Sequence, residues 1–353
     1  MMSHVMTSRG AADQAIRATG VGSWPGADPR EAIVTVRDLL LDASGGGPDG
    51  RVLPYVPETP ARGPGSDIIG RGAGVLTDLP VELHPSGWRL TSRPGRDAER
   101  TASLWRQDLD ELTEAYDGYR GLLKVAVAGP WTLASSIELP GGEKAIVDVG
   151  AAMEIAESLA DGILSLTGKL ISLLPEATVV LQLDEPALPA VLSGTIPTAS
   201  GFGRLRAVDT QDALRGLQIV TSVFAGETIV HCCHPSAPIP VLRQSGASGL
   251  ALDLTAASAA RWESVAATVE AGQQVYAGLL PTGGDPSISA SVSSIARLVM
   301  EQADRVGIET ALLRGLLVSP VCGLASLDRD TAIATQRATI DLADELNASL
   351  DER

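Results

Sequence analysis

Apolar residues in this 353-residue chain gather into eight short runs separated by longer stretches of helical spacing. The runs are ATGVGS (18–23), RVLPYV (51–56), LLKVAVAG (122–129), TVVLQLD (178–184), ETIVHCC (227–233), GLALDL (249–254), QVYAGLL (274–280) and LLRGLLVS (312–319). Most are rich in Val, Ile and Leu and lack strict polar alternation, the pattern of strands buried on both faces of a parallel sheet. The intervening stretches predict helices near 101–119, 148–174, 208–222, 237–246, 256–272, 288–306 and 328–349. An earlier one opens at Asp28-Pro29-Arg30-Glu31, which combines an N-cap, a proline at the first helical position and a capping-box glutamate.

Strands alternating with helices imply parallel pairing through crossovers. Eight such units predict an α/β fold, a (β/α)₈ TIM barrel, which needs roughly 250 residues. The surplus falls in a predicted N-terminal extension (1–17) before a barrel spanning 18–353, and in two insertions. One is the Gly- and Arg-rich stretch 59–100, expected over the barrel mouth. The other is the loop 192–210. An open doubly wound sheet is the alternative arrangement. The glycine-rich segments 44–50, 61–74 and 282–287 lack the strand–loop–helix context or lysine of a phosphate loop.

Composition narrows the function classes. The net charge of −16 argues against nucleic-acid binding, which needs clustered Lys and Arg. With 44% hydrophobic residues the chain has ample material for a large core, yet no apolar run approaches the ~20 residues of a membrane span. Three cysteines are too few for a secreted disulfide framework, and the N-terminus lacks the apolar core of a signal peptide. A cytoplasmic protein is expected.

Function in a barrel of this kind gathers at the C-terminal strand ends. Gly22 and Ser23 end the first run, Glu58 follows the second, and Asp184 and Glu185 end the fourth. His231 and Cys233 end the fifth, Asp253 lies near the end of the sixth, and Cys322 lies just past the eighth. His231 and Cys233 are two residues apart, so on a strand they share a face, whereas Cys232 points the other way. An imidazole, two thiolates and the Asp253 carboxylate make a tetrahedral Zn²⁺ set, and soft sulfur favours zinc over magnesium or calcium. The bland readings are core cysteines and a hydrogen-bonded structural histidine. For the Asp184-Glu185 pair the choice lies between a helix cap or salt bridge and a carboxylate that holds a substrate ammonium; Glu58 is otherwise a solvated loop acid.

Six stretches, TGVGSWPG (19–26), VAGPWTLA (127–134), LQLDEPAL (181–188), IVHCCHP (229–235), LALDL (250–254) and LLVSPVCGL (316–324), together resemble the C-terminal catalytic barrel of the cobalamin-independent methionine synthase family, in the family's order. The resemblance implies a zinc-dependent methyltransferase that methylates the thiol of homocysteine, or a similar small thiol. It implies zinc ligands at His231, Cys233, Asp253 and Cys322, a carboxylate-binding turn at Gly22 and Ser23, and Glu58 and Asp184 as the acids that hold the amino group. Three departures stand out. Asp253 falls where the family's ligand is a glutamate, one methylene longer. The family's second, N-terminal barrel is missing, and the segment 274–287 has no histidine where the family uses one to help protonate a folate leaving group. Short, single-barrel relatives are associated with methylated corrinoids, so a corrinoid protein is a possible donor partner in place of methyltetrahydrofolate. The alternatives are a relative of uroporphyrinogen decarboxylase, a corrinoid:thiol methyltransferase and a non-catalytic zinc- and thiol-binding regulator.

Overall fold

All eight apolar runs contribute strands to one parallel sheet in the computed structural model, which describes residues 15–43, 51–283 and 291–353. In chain order the strands are β1 (Arg17–Thr19), β2 (Val52–Leu53), β3 (Val81–His84), β4 (Gly87–Leu90), β5 (Gly121–Ala128), β6 (Ala177–Asp184), β7 (Thr228–Cys232), β8 (Gly249–Asp253), β9 (Gln274–Leu280) and β10 (Leu317–Pro320). The large sheet runs β2-β1-β10-β9-β8-β7-β6-β5. Its two edges meet through a parallel bridge between Tyr55 and Lys124. There the Val56 N–H donates to the Lys124 carbonyl and the Lys124 N–H donates to the Pro54 carbonyl, both at 2.8 Å. The ring is therefore a nearly closed barrel, and the open doubly wound alternative does not hold.

Alternation along each strand decides what the barrel encloses. Leu53, Val180, Ile229, Ala251, Tyr276 and Leu317 pack together as a cluster of their own, the apolar plug of the interior. Leu122 of β5 packs against it. Two residues further along their strands come Lys124, Gln182, His231 and Asp253 on the same inward side. The interior thus turns from apolar to polar toward the C-terminal rim. Residues of opposite parity, Cys232 among them at 0% exposure, join the main core between sheet and helices. That two-sided burial explains the continuous apolar runs in the sequence.

Helices cover the outside where their spacing places them: α1 (Pro29–Ala43), then α5 (Val149–Leu173) after β5 and α7 (Thr210–Thr221) after β6. A short α6 (Leu188–Ser193) precedes α7, and after it come α8 (Ile239–Arg243), α9 (Ala259–Glu270), α10 (Val292–Val306) and α12 (Arg329–Asp351), with a short α11 (Thr310–Leu313) between the last two. Asp28 does cap the first helix, accepting from the N–H groups of Arg30 and Glu31. The Glu31 carboxylate instead pairs with Arg329 of the last helix. The run LLRGLLVS divides, its first part turning helical and the strand beginning only at Leu317.

The 59–100 stretch holds more regular structure than its composition suggests. It forms a short helix, α2 (Ile68–Ala73), the antiparallel β3–β4 hairpin, and the start of α3 (Arg96–Ala115). At the N-terminus Ile16 is buried and exchanges two hydrogen bonds with the Asn347 side chain of α12. Ile16 and Arg17, placed by sequence in the extension, thus belong to the barrel. Residues 1–14 of that extension, the glycine-rich 44–50 and residues 284–290 lie outside the described residues. Among the described residues no helix is long and apolar enough to cross a membrane.

One loop shows how the Asp-Glu pair divides its labour. After β5, Gly129-Pro130 opens the short helix α4 (Pro130–Ser136), which has no side-chain cap of its own. Glu185, from the neighbouring strand end, supplies it. Its carboxylate accepts from the N–H groups of Trp131 at 2.9 Å and Thr132 at 2.8 Å, and from the Thr132 hydroxyl at 2.7 Å. A Cβ on Gly129 would lie 2.4 Å from Glu185 Oε1, so glycine is required there. Burial pushes the Glu185 carboxyl up to about 7 against these three bonds. The structural role therefore belongs to Glu185, leaving Asp184 for the interior. Glu185→Ala should cost about 3 kcal/mol in urea unfolding, the worth of a charge-assisted set at a helix N-terminus; a loss below about 0.5 kcal/mol would contradict this assignment.

Candidate active site

The Gly22-Ser23 turn extends β1 beyond its last regular residue. It is locked from two sides by backbone. The Glu58 N–H donates to the Gly22 carbonyl at 3.2 Å and the Trp24 N–H to the Glu58 carbonyl at 2.7 Å. On the other side Leu324 N–H donates to the Ser23 carbonyl at 2.7 Å and Ala325 N–H to Ser23 Oγ at 3.4 Å. None of these bonds uses the Ser23 N–H. A Cβ at Gly323 would lie 2.0 Å from Ser23 Oγ, so the glycine after Cys322 is what lets the last loop close onto the turn. Three segments far apart in sequence thus meet at one point of the rim: 22–24, 58 and 322–325.

Beside the turn runs a buried polar chain. Lys124 Nζ, on a side chain 2% exposed, donates to the carbonyls of Gly20 at 2.6 Å and Val21 at 3.0 Å, and to Gln182 Oε1. Gln182 Nε2 donates to the Val21 carbonyl at 3.0 Å and to Asp184 Oδ1 at 2.7 Å. Asp184 Oδ1 in turn lies 2.7 Å from His231 Nδ1. A carboxylate oxygen accepts, so the His231 Nδ1 carries a proton. The ring's Nε2 points toward the last loop, 3.4 Å from the Val321 carbonyl. Burial opposes charging the His231 ring, and the Asp184 bond and charge outweigh it, so its pKa is raised.

Cys233 and Cys322 come from β7's end and the loop after β10, and their thiols are close enough to interact. Interaction with Cys233 holds the Cys322 thiol below its ordinary value, helped by the nearby His231, while the same interaction and burial push the Cys233 thiol up. Cys232 faces the helices instead, where burial pushes its thiol up to about 12. His234 lies in the following loop, its Nδ1 accepting from the Ser236 N–H at 3.0 Å. Asp253 ends the adjacent strand, but its Oδ1 accepts from the N–H and hydroxyl of Thr255 at 2.9 and 2.7 Å.

In kind, an imidazole nitrogen and two sulfurs fit zinc better than any hard cation. In arrangement the fit is incomplete. Among the described residues no group of three or more His, Cys, Asp and Glu side chains is set to hold a metal ion. Cys322 interacts with both Cys233 and His231, and Asp253 is engaged with its own loop.

Glu58 lies at 6% exposure beside an ionic cluster that sequence reading did not find. Arg71 of α2 sits 3.5 Å from Glu58 through its Nε, a charge contact rather than a hydrogen bond. Arg71 also pairs with Asp108 of α3 and stacks on Trp105 at 3.8 Å. Arg62 holds the other Asp108 oxygen. Burial pushes the Glu58 carboxyl up to about 7, with Arg71 pulling the other way and Asp184 adding to the rise. The insertion 59–100 thus carries the cation that faces Glu58.

A parallel α/β barrel with thiols, an imidazole and two carboxylates at the C-terminal ends of its strands carries its polar residues where barrel enzymes hold their active sites. Residues 121–345 match the protein-family model described as the catalytic domain of the cobalamin-independent synthase. The chain belongs to the cobalamin-independent methionine synthase family, methyltransferases that make methionine by methyl transfer to homocysteine. Among solved structures it is similar to a B12-independent methionine synthase from Shewanella sp. W3-18-1, crystallised in complex with selenomethionine. The TM-score is 0.63 at 14% identity, covering 96% of this chain and 100% of that one. At that identity the likeness speaks to the fold. No curated protein sequence matches the chain.

Proposed function

We propose that this chain methylates the thiol of homocysteine, or of a closely similar small thiol, at a zinc site formed by His231, Cys233 and Cys322. Asp253 or a water molecule completes the set. One observation carries the reading. Two sulfurs from distant strand ends come within reach of each other, and the imidazole that interacts with Cys322 turns its Nε2 toward the same loop. Core cysteines have no reason to meet in this way.

The chemistry the ion supplies when bound is loss of the substrate's thiol proton at neutral pH, where a free thiol of pKa about 8.5 stays mostly protonated. The protein's own residues do the rest. The Gly22-Ser23 turn receives the substrate carboxylate, and Glu58 and Asp184 receive its ammonium from either side. The Asp184 bond keeps the His231 proton on Nδ1, so that Nε2 remains a donor atom. Together these contacts hold the sulfur still for in-line attack on a methyl group, the positioning that makes such transfers fast.

The donor is the finer question. The segment 274–287 has no histidine to protonate a folate leaving group, which favours a methylated corrinoid, free or protein-bound. The test is a methyl-transfer assay with homocysteine against methyltetrahydrofolate, methylcobalamin and a methylated corrinoid protein, with zinc measured on the same sample. Methionine formed from a corrinoid donor by zinc-containing protein is the expected result. Turnover by zinc-free protein would refute the mechanism, and turnover with methyltetrahydrofolate alone would refute the donor assignment.

A further inference from the structure

Lys124 is a lysine where a barrel strand would ordinarily carry an aliphatic residue. It stands one inward position above Leu122 and the apolar plug, and burial pushes its pKa down to about 7 against the pull of Asp184 and Glu58. Neither acid touches its Nζ. All three of its partners are uncharged acceptors: two backbone carbonyls and the Gln182 amide oxygen. A neutral amine has two N–H groups and a lone pair, so it would leave one of these three oxygens facing a lone pair. Three acceptors require the ammonium form.

That requirement has a consequence for Gln182. An amide can ordinarily be turned end for end, with oxygen and nitrogen exchanged. Here both ends agree: the all-donor ammonium faces the oxygen, and two acceptors, the Val21 carbonyl and Asp184 Oδ1, face the Nε2. Asp184 Oδ1 therefore receives two donors, Gln182 Nε2 and His231 Nδ1. Its other oxygen is left for a cationic ligand. The same lysine clamps the Gly20 and Val21 carbonyls, the two residues immediately before the Gly22-Ser23 turn.

We propose that Lys124 is a positioning residue for the substrate's amino-acid end, its side chain anchoring a Lys124–Gln182–Asp184–His231 hydrogen-bond relay. The assignment rests on the reading that Asp184 holds the ammonium of homocysteine. Without the lysine, Gln182 Oε1 and the Gly20 and Val21 carbonyls lose their donor, so the amide that donates to Asp184 and the turn beside it lose their anchor. His231 also loses the fixed acceptor that selects one tautomer.

The test compares two thiols that differ only in the amino group, homocysteine and 4-mercaptobutyrate, by calorimetric titration of the zinc-loaded protein. Lys124→Met should weaken homocysteine by about tenfold or more, the loss of one charge-assisted bond, and 4-mercaptobutyrate by less than about threefold. Gln182→Met interrupts the relay without removing the buried charge, so it should give the same selective loss, and it carries the test alone if Lys124→Met does not fold. A second readout is the ¹⁵N spectrum of the His231 ring, which should show a single Nδ1-protonated form in the wild type and a mixture in either variant. Equal weakening of both thiols, as a merely structural role would give, overturns the assignment, and so does a variant that keeps wild-type discrimination and one tautomer. Wild-type protein that binds neither thiol would contradict the functional reading as well, which separates that failure from this one.

Discussion

Purified Cys322→Ser protein should carry no stoichiometric zinc and should transfer methyl groups at least about a hundredfold more slowly than the wild type. Partners that merely orient a metal ligand cost 10–100-fold when removed, so loss of a ligand sets that range as its floor. Cys233→Ser should match it, because the two thiols interact at one place and each supplies one sulfur to the proposed site. Cys232→Ser is the internal control. Its side chain is 0% exposed in the core between sheet and helices, so it should cost about 1–2 kcal/mol of stability through a buried hydroxyl and leave zinc content unchanged. Metal analysis of the three variants side by side decides the matter. Equal zinc loss in all three would mean that the strand's two faces do not separate the roles.

Asp184→Asn should weaken homocysteine by about thirtyfold or more while weakening a thiol without an amino group by less than about threefold. The amide keeps an oxygen to accept from His231 and Gln182, so the ring stays in place. Its NH₂ group takes the position of the second carboxylate oxygen and presents donors to a substrate ammonium that is itself all donor. Equal loss for both thiols would remove the ammonium-binding role. Glu185→Ala, by contrast, should act on stability alone, since that carboxylate is spent on the N-terminus of the helix after β5.

The barrel was legible because strands buried on both faces must be apolar throughout, and the eight runs could be counted directly. Their ends were less so. β2 and β10 keep only Val52–Leu53 and Leu317–Pro320, since Pro54 interrupts the first and Leu312–Leu313 fall in a helical turn. The opposite facing of His231 and Cys232 was legible from strand alternation. The division of labour between Asp184 and Glu185 was not, because it depends on which one reaches the N–H groups of Trp131 and Thr132, some fifty residues away. Lys124 was hidden inside LLKVAVAG, a run that reads as a strand with one polar interruption. Its partners Gly20 and Val21 lie 104 and 103 residues distant, and carbonyl oxygens leave no mark in a sequence. Arg71 and Asp108 were missed for a related reason: they sit in a Gly- and Arg-rich stretch and on a charged helix face, where ion pairs look like solvated surface.

Asp253 is the residue on which sequence and structure differ most in emphasis. Spacing and resemblance put it in the ligand set, and the fold does bring it to the correct rim, one strand over from His231. Yet its carboxylate is turned back onto Thr255. One methylene shorter than the family's glutamate, it must leave that turn to reach the sulfurs.

X-ray absorption at the zinc edge, recorded on purified protein before and after adding homocysteine, tests the central claim most directly. The account predicts about one zinc per chain, two sulfur neighbours beforehand, and three once the substrate thiol joins Cys233 and Cys322. Protein that binds no zinc, or a sulfur count that stays unchanged when homocysteine is added, would contradict it.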